Sequence, residues 1–322
     1  MTIHVISVGV SLLDALRDRR RAGAGRTDQV DSLIPALKRS PRPGDLFDDV
    51  RVTTTEEAGR WLASALAGPD GPDHDPNAAS TLTERAQRFR PDLWPREFSA
   101  ELTTFAACPI SNVPVGPDDT TVLICSDTLV GLLAGLWNAA ALTGGDLTRI
   151  RYLPAPDTLP ATLRGTVLIT RVPGMDAASE AGFVAAMRHL GTLARKLWER
   201  TSKDKEQFEF YLSGGFKAAI PYLIGIAEGL RSLEGDRTVR AWVLHDTTDR
   251  PIRLPLRRID PDLVRHELSD FRGDDLKSWG LLNSAILEGY AYEQDRHRDV
   301  ARLTPFGAAL QTLFDLPPRG LL

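Results

Sequence analysis

Short apolar runs alternate with amphipathic stretches along most of this chain. Thr2 to Val8 (TIHVISV) is rich in β-branched residues and ends at Gly9; SLLDALRDRRR follows, with Leu12, Leu13 and Leu16 on one helical face. That pattern predicts a strand, a tight turn and a helix. Residues 22 to 50 are dense in Gly, Pro, Arg and Asp and predict a loop with one short helix. Helices are expected at about Thr55 to Ala67 and near Glu97 to Ala106, with GPDGPDHDPN, from Gly68 to Asn77, as a surface excursion. From Thr121 the alternation becomes regular. Strand TVLIC (Thr121 to Cys125) leads into helix LVGLLAGLWNAAAL, then come RIRYL (Arg149 to Leu153), TVLIT (Thr166 to Thr170) and a long helix from about Ala177 to Arg200. Two more strands, Phe208 to Leu212 and Thr238 to Leu244, flank the segment YLSGGFKAAIPYLIGIAEGL.

Short apolar strands separated by amphipathic helices predict an α/β fold, a mostly parallel Rossmann-like sheet covered by helices on both faces. After Pro251 to Leu256 the pattern changes. LLNSAILEG (Leu281 to Gly289) reads as a helix closed by glycine, YAYEQD and VARLT as two strands joined by RHRD, and Pro305 starts the helix FGAALQTLF. Helix, two-stranded wing and helix form the back half of a winged helix, although Asp260 to Ser278 leaves little room for two earlier helices. The expected division is a Rossmann-like domain over residues 1–258 and a small winged-helix-like α+β domain over 259–322.

At 322 residues and 42% hydrophobic, the chain can bury the core of one large and one small domain. It contains no uncharged apolar run long enough to span a bilayer, and MTIHVISVGV lacks the basic flank and cleavage site of a signal peptide. A cytoplasmic location without a membrane partner is expected. Two cysteines, Cys108 and Cys125, give neither a disulfide framework nor a zinc constellation and read as small buried hydrophobes. His4, His74, His189, His266 and His297 show no metal-ligand spacing. No metal or cofactor is expected. A net charge of −4 argues against a wholesale polyanion binder, while a small anion needs only a local positive site. The C-terminal residues 259–322 carry seven basic and eleven acidic side chains. A duplex binder is normally strongly basic, so DNA is disfavoured as a partner, and dimerisation or covering of a ligand is the expected role.

G-x-G-x-x-G follows none of the strands, and G-x-x-x-x-G-K-[ST] is absent. The candidate chemistry lies in three loops that follow strands: Gly9-Val10-Ser11, Ser126-Asp127-Thr128 and Ser213-Gly214-Gly215-Phe216-Lys217. Small and hydroxyl residues at the carboxyl edge of a parallel sheet, running into helix N-termini, suit an anion. Each loop also has a plainer reading. Ser126, Asp127 or Thr128 serves as a helix N-cap, the paired glycines make a tight turn, and Lys217 is a solvated charge. Only six of the 39 basic residues are lysine, which favours a specific role for one standing directly after a double-glycine turn.

SVGVSLL, AELTTF (Ala100 to Phe105), the SDT after TVLIC and above all YLSGGFKAAIPYL resemble the CARF domains of type III CRISPR systems, and VLHDTTDRPIRLPLRRI resembles the segment that closes such domains. The resemblance spans about Thr2 to Asp260. It implies a homodimer that binds a cyclic oligoadenylate in a cleft formed by two copies of these loops. In the ring nucleases of the family it also implies cleavage of that ligand. Carried onto this chain, it places Ser11, Ser213, Gly214, Gly215 and Lys217 at the phosphates and ribose, with Gly9, Val10, Ser126, Asp127, Thr128 and Phe216 around them, and makes Ser11 and Lys217 the catalytic candidates. Val10 stands where the family often has threonine, which removes one hydroxyl.

The implied activity is metal-independent opening of the ring, with cyclic tetra-adenylate as the expected substrate, to linear products ending in a 2′,3′-cyclic phosphate. A non-cleaving sensor or ligand-responsive transcription regulator is the alternative within the family, and a nucleotide-using metabolic enzyme the alternative outside it. Many CARF proteins carry a HEPN ribonuclease marked by arginine, four residues and histidine. That spacing occurs here at Arg240 and His245, but in the β-rich run TVRAWVL, where alternation sends the two side chains to opposite faces.

Overall fold

The computed structural model describes residues 1–17, 35, 37, 39–156, 158–176, 178–201, 207–233, 238–245, 248, 250–269, 271, 276–278, 286–295, 297 and 300–316. Its main sheet is built from β1 (Thr2–Ser7), β2 (Thr120–Cys125), β3 (Ile150–Leu153), β4 (Val167–Arg171), β5 (Gln207–Tyr211), β6 (Thr238–Val243) and β7 (Ile252–Leu254), in the spatial order β3-β4-β2-β1-β5-β6-β7. β1 runs parallel to β2, β2 to β4 and β3 to β4, while β7 closes the edge antiparallel to β6. The sheet is mostly parallel and flanked by helices, as the alternation of short apolar strands and amphipathic segments predicts. By contact the chain gathers into two compact units. One comprises Met1–Arg171, Phe208–Lys217 and Ala241–Leu254; the other comprises Val172–Gln207, Ala218–Arg240 and Pro255–Leu322.

In the first unit, every residue of β2 is buried, and so is each residue of α5 (Leu129–Leu142) from Gly131 onward. A helix apolar around its whole circumference belongs inside a protein, and α5 packs on β2 and β4. Before it in the chain come α1 (Ser11–Arg17), a single turn at Leu46–Asp49, α2 (Thr55–Leu66), α3 (Pro76–Phe89) and α4 (Ala100–Ala107). α2 opens with a capping box between Thr54 and Glu57, and α4 with Ser99, whose hydroxyl accepts the Leu102 N–H at 3.2 Å. α3 corrects the sequence expectation. The polar stretch ends in Asp75 as N-cap and Pro76 at the first position, and a helix follows whose buried face is Ala78, Leu82, Ala86 and Phe89.

The second unit holds α6 (Glu180–Thr201), α7 (Ile220–Ser232), α8 (Pro261–Leu268), α9 (Pro305–Leu313) and a small antiparallel sheet of β8 (Leu276–Ser278), β10 (Val300–Leu303) and β9 (Tyr292–Asp295), with β10 in the middle. The two strands and last helix read from the sequence are therefore present. The described part of the helix expected at Leu281 to Gly289, from Ile286 onward, is a turn, and residues 281–285 lie outside the described residues. A polar cluster centred on one buried carboxylate binds this unit. Glu228 on α7, 4% exposed, accepts the Arg257 backbone N–H at 3.0 Å, its Nε at 3.0 Å and its Nη2 at 2.9 Å, and the Tyr290 hydroxyl at 2.5 Å. Arg257 also lies 4.3 Å from the Tyr290 ring centroid. Among the described residues no helix is long and apolar enough to cross a membrane.

Candidate ligand-binding and active site

β1 is the strand at which the chain changes direction across the sheet. β2, β4 and β3 lie to one side of it and β5 to β7 to the other. In open α/β sheets ligands gather outside the carboxyl ends of strands at such a switch point. The three candidate loops leave the carboxyl ends of β2, β1 and β5, which are neighbours.

The loops after β1 and β5 are joined through backbone and one buried carboxylate. The Ser7 hydroxyl donates to the Gly214 carbonyl at 2.9 Å. Gly215 has φ +96°, and a Cβ there would sit 1.9 Å from Ser7 Oγ, so both its conformation and its neighbour demand glycine. A Cβ on Gly214 would lie 2.1 Å from Glu101 Oε1. The paired glycines thus let the β5 loop lie directly on Ser7 and Glu101.

Glu101, on α4 and only 2% exposed, organises the first loop. Its Oε1 accepts the Gly9 N–H at 2.5 Å, and its Oε2 accepts the Ser11 hydroxyl at 2.9 Å and the Ser99 hydroxyl at 2.6 Å. Ser11 Oγ in turn accepts the Ala100 N–H at 3.2 Å. Ser99 Oγ also lies 2.8 Å from Asn138 Oδ1 on α5, whose Nδ2 donates to the Ala134 carbonyl at 2.9 Å. None of Ser7, Ser99, Glu101 and Asn138 is a site candidate on sequence grounds. The available signals were a lone acid in AELTTFAA and a lone amide in LVGLLAGLWNAAAL.

Ser213 Oγ accepts the Leu244 N–H at 2.7 Å, Phe216 is half-buried, and Lys217 opens a 3-10 turn, Lys217–Ala219. Lys217 is exposed and has no ion-pair partner among the described residues. Val10, 41% exposed, stands on the rim of the first loop. In the β2 loop, Thr128 is the N-cap of α5, its Oγ1 accepting the Gly131 N–H at 3.0 Å, and Ser126 Oγ lies 3.1 Å from that oxygen. Asp127 is engaged by Arg171 at 3.5 Å, and Arg171 also pairs with Glu56 at 2.8 Å. Thr128 therefore does have the capping role left open by the sequence, and Asp127 is one member of a charge cluster at the ends of β2 and β4.

Both cysteines are buried thiols. Burial, then the charge of Glu209, pushes Cys108 up to about 12, and burial, then the charge of Glu101, pushes Cys125 up as well. Neither is a thiolate nucleophile at neutral pH. Arg240 lies within β6 and His245 just beyond it, so the arginine-histidine spacing falls on a strand. No protein-family model matches the chain, and no curated protein matches it significantly.

Proposed function

We propose that this chain is a CARF-type protein that binds a cyclic oligoadenylate between two copies of itself and opens the ring, acting in type III CRISPR defence. The observation that carries the proposal is the junction at the switch point. The hydroxyl- and glycine-bearing loops after β1 and β5 are locked together by Ser7, Glu101 and Gly214, while Lys217, two residues past Gly215, is exposed and has no ion-pair partner among the described residues. A cyclic oligoadenylate carries one negative charge per phosphodiester. Two copies of Lys217 across a two-fold axis match a ring of like symmetry and offset its charge. Alignment of a ribose 2′-hydroxyl with its adjacent phosphorus, together with stabilisation of charge on the phosphorane oxygens, opens such a ring without a metal.

Binding is tested by calorimetric titration of the intact protein with cyclic tetra-adenylate. Saturation at one ring per two chains is expected. Failure to bind any cyclic oligoadenylate would return the fold to the general class of nucleotide-using Rossmann-like enzymes.

A second reading, a ligand-responsive regulator with the same site and no cleavage, is favoured by one feature of the second unit. Its antiparallel sheet has the order β8-β10-β9, with the last strand central and leading into α9, an arrangement compatible with a winged helix. The acidic balance of residues 259–322 weighs against a duplex partner.

A further inference from the structure

We propose that Glu101 takes up, through Ser11, the proton of the attacking ribose 2′-hydroxyl; this rests on the ring-opening function proposed above. Ring opening by that hydroxyl needs somewhere for its proton to go. Ser11 Oγ has one proton, donated to Glu101 Oε2 at 2.9 Å, and two lone pairs, of which the Ala100 N–H uses one. The remaining lone pair belongs to a half-buried side chain on the first loop, whereas Glu101 beneath it is shielded from any ligand. Glu101 therefore acts only by way of Ser11, as a positioning residue that also stores the proton.

The surroundings of Glu101 have room for that proton. Ser99 Oγ lies 2.6 Å from Glu101 Oε2 and 2.8 Å from Asn138 Oδ1. While Glu101 is ionised, Ser99 donates to it. Once Glu101 is protonated, Ser99 turns its hydroxyl to Asn138 and accepts the new O–H, so no buried donor loses its partner. A carboxylate needed only for structure does not require a neighbour with two alternative acceptors. Among the described residues, the Gly9 N–H and the Gly214 backbone also lie against Glu101, and Cys125, at the end of β2, is close enough to feel its charge. The Cys125 thiol is pushed up by burial and by Glu101, and stays neutral throughout.

The step balances. The 2′-O–H proton passes to Ser11 Oγ as the proton of Ser11 passes to Glu101 Oε2. The 2′-oxygen forms a bond to the adjacent phosphorus. The bond from phosphorus to the 5′-oxygen breaks with its electron pair on oxygen, which takes a proton from water, and Glu101 returns its proton to solvent through Ser11. The products are a 2′,3′-cyclic phosphate and a 5′-hydroxyl, with nothing oxidised or reduced.

Single-turnover opening of labelled cyclic tetra-adenylate by full-length wild type, Glu101→Gln, Ser11→Ala and the double variant, across a range of pH, tests this. Glu101→Gln keeps the shape and the Gly9 contact but removes the acceptor, so the rate should fall by about 10²- to 10⁴-fold with affinity within about threefold of wild type. Ser11→Ala should lose as much, and the double variant no more than either single one, because the two residues act as a unit. The wild-type rate should decline as the medium is made acid, and that decline should be missing from both variants. Should Glu101→Gln fail to fold, Ser11→Ala, which leaves the carboxylate in place, decides the matter: a retained acid limb overturns the proposal. A wild-type rate in Glu101→Gln, or parallel loss of rate and binding, would also overturn it while leaving ring opening intact. An uncut ring with wild type would remove both together.

Discussion

Replacing Lys217 by alanine weakens binding of cyclic tetra-adenylate at least tenfold and leaves folding stability within about 0.5 kcal/mol of wild type. Lys217 is exposed at the head of a 3-10 turn and unpaired among the described residues, so its removal leaves no buried partner without a charge. In a two-fold dimer each ring loses two charge-assisted contacts, each worth about 1.5 to 3 kcal/mol when shielded from water. Solvent around an exposed ammonium cuts that total, and about 1.4 kcal/mol of surviving loss already amounts to tenfold. Lys217→Arg should recover part of the affinity, since it restores the charge on a different geometry. Calorimetry alongside a urea melt separates the two effects. Equal affinity in a folded Lys217→Ala protein would reduce Ser213 to Lys217 to a structural turn.

The second large effect is on stability and depends on pH. Burial pushes the Glu228 carboxyl up, but hydrogen bonds from the Arg257 side chain, the Tyr290 hydroxyl and the Arg257 backbone outweigh it and hold the group below its ordinary range. A carboxyl whose folded value is depressed contributes stability that is full above its unfolded value of about 4.3 and is lost as pH falls through the folded value. Arg257→Ala leaves a carboxylate that is 4% exposed with two donors, the backbone N–H of residue 257 and the Tyr290 hydroxyl. Because the Arg257 side chain is itself 64% exposed, the expected cost near neutral pH sits low in the range for charged hydrogen bonds, at about 2 kcal/mol. The gap between wild type and variant should shrink on acidification. Urea midpoints measured at about pH 7 and about pH 3 decide it, and an equal gap at both would mean that Arg257 acts through packing on Tyr290 alone.

What could be read in the sequence follows the range of the interactions involved. TVLIC and LVGLLAGLWNAAAL declare themselves because burial on all sides writes an uninterrupted apolar run, and the structure returns β2 and α5 at those positions. α3 was hidden because its buried face uses two alanines, one leucine and one phenylalanine behind a stretch dominated by Gly, Pro and Asp. The loops after β1, β2 and β5 were visible as loops, since glycine and hydroxyl residues mark sharp strand-to-helix turns locally. The part played by Glu101 was not. Its partners Gly9 and Ser11 are 92 and 90 residues away along the chain, and nothing in AELTTFAA reports a carboxylate aimed under another loop. The pairing of Asp127 with Arg171 is equally invisible in the sequence, because Arg171, at the end of β4, is brought to it only by the sheet.

The most direct test of the central claim is incubation of the purified protein with cyclic tetra-adenylate in EDTA, followed by chromatography and mass analysis of the products. Linear oligoadenylates ending in a 2′,3′-cyclic phosphate and a 5′-hydroxyl, formed at the same rate with and without EDTA, are the predicted result. Cleavage that stops when divalent ions are removed would contradict the mechanism, and a ring still intact after prolonged incubation would contradict the enzymatic claim itself.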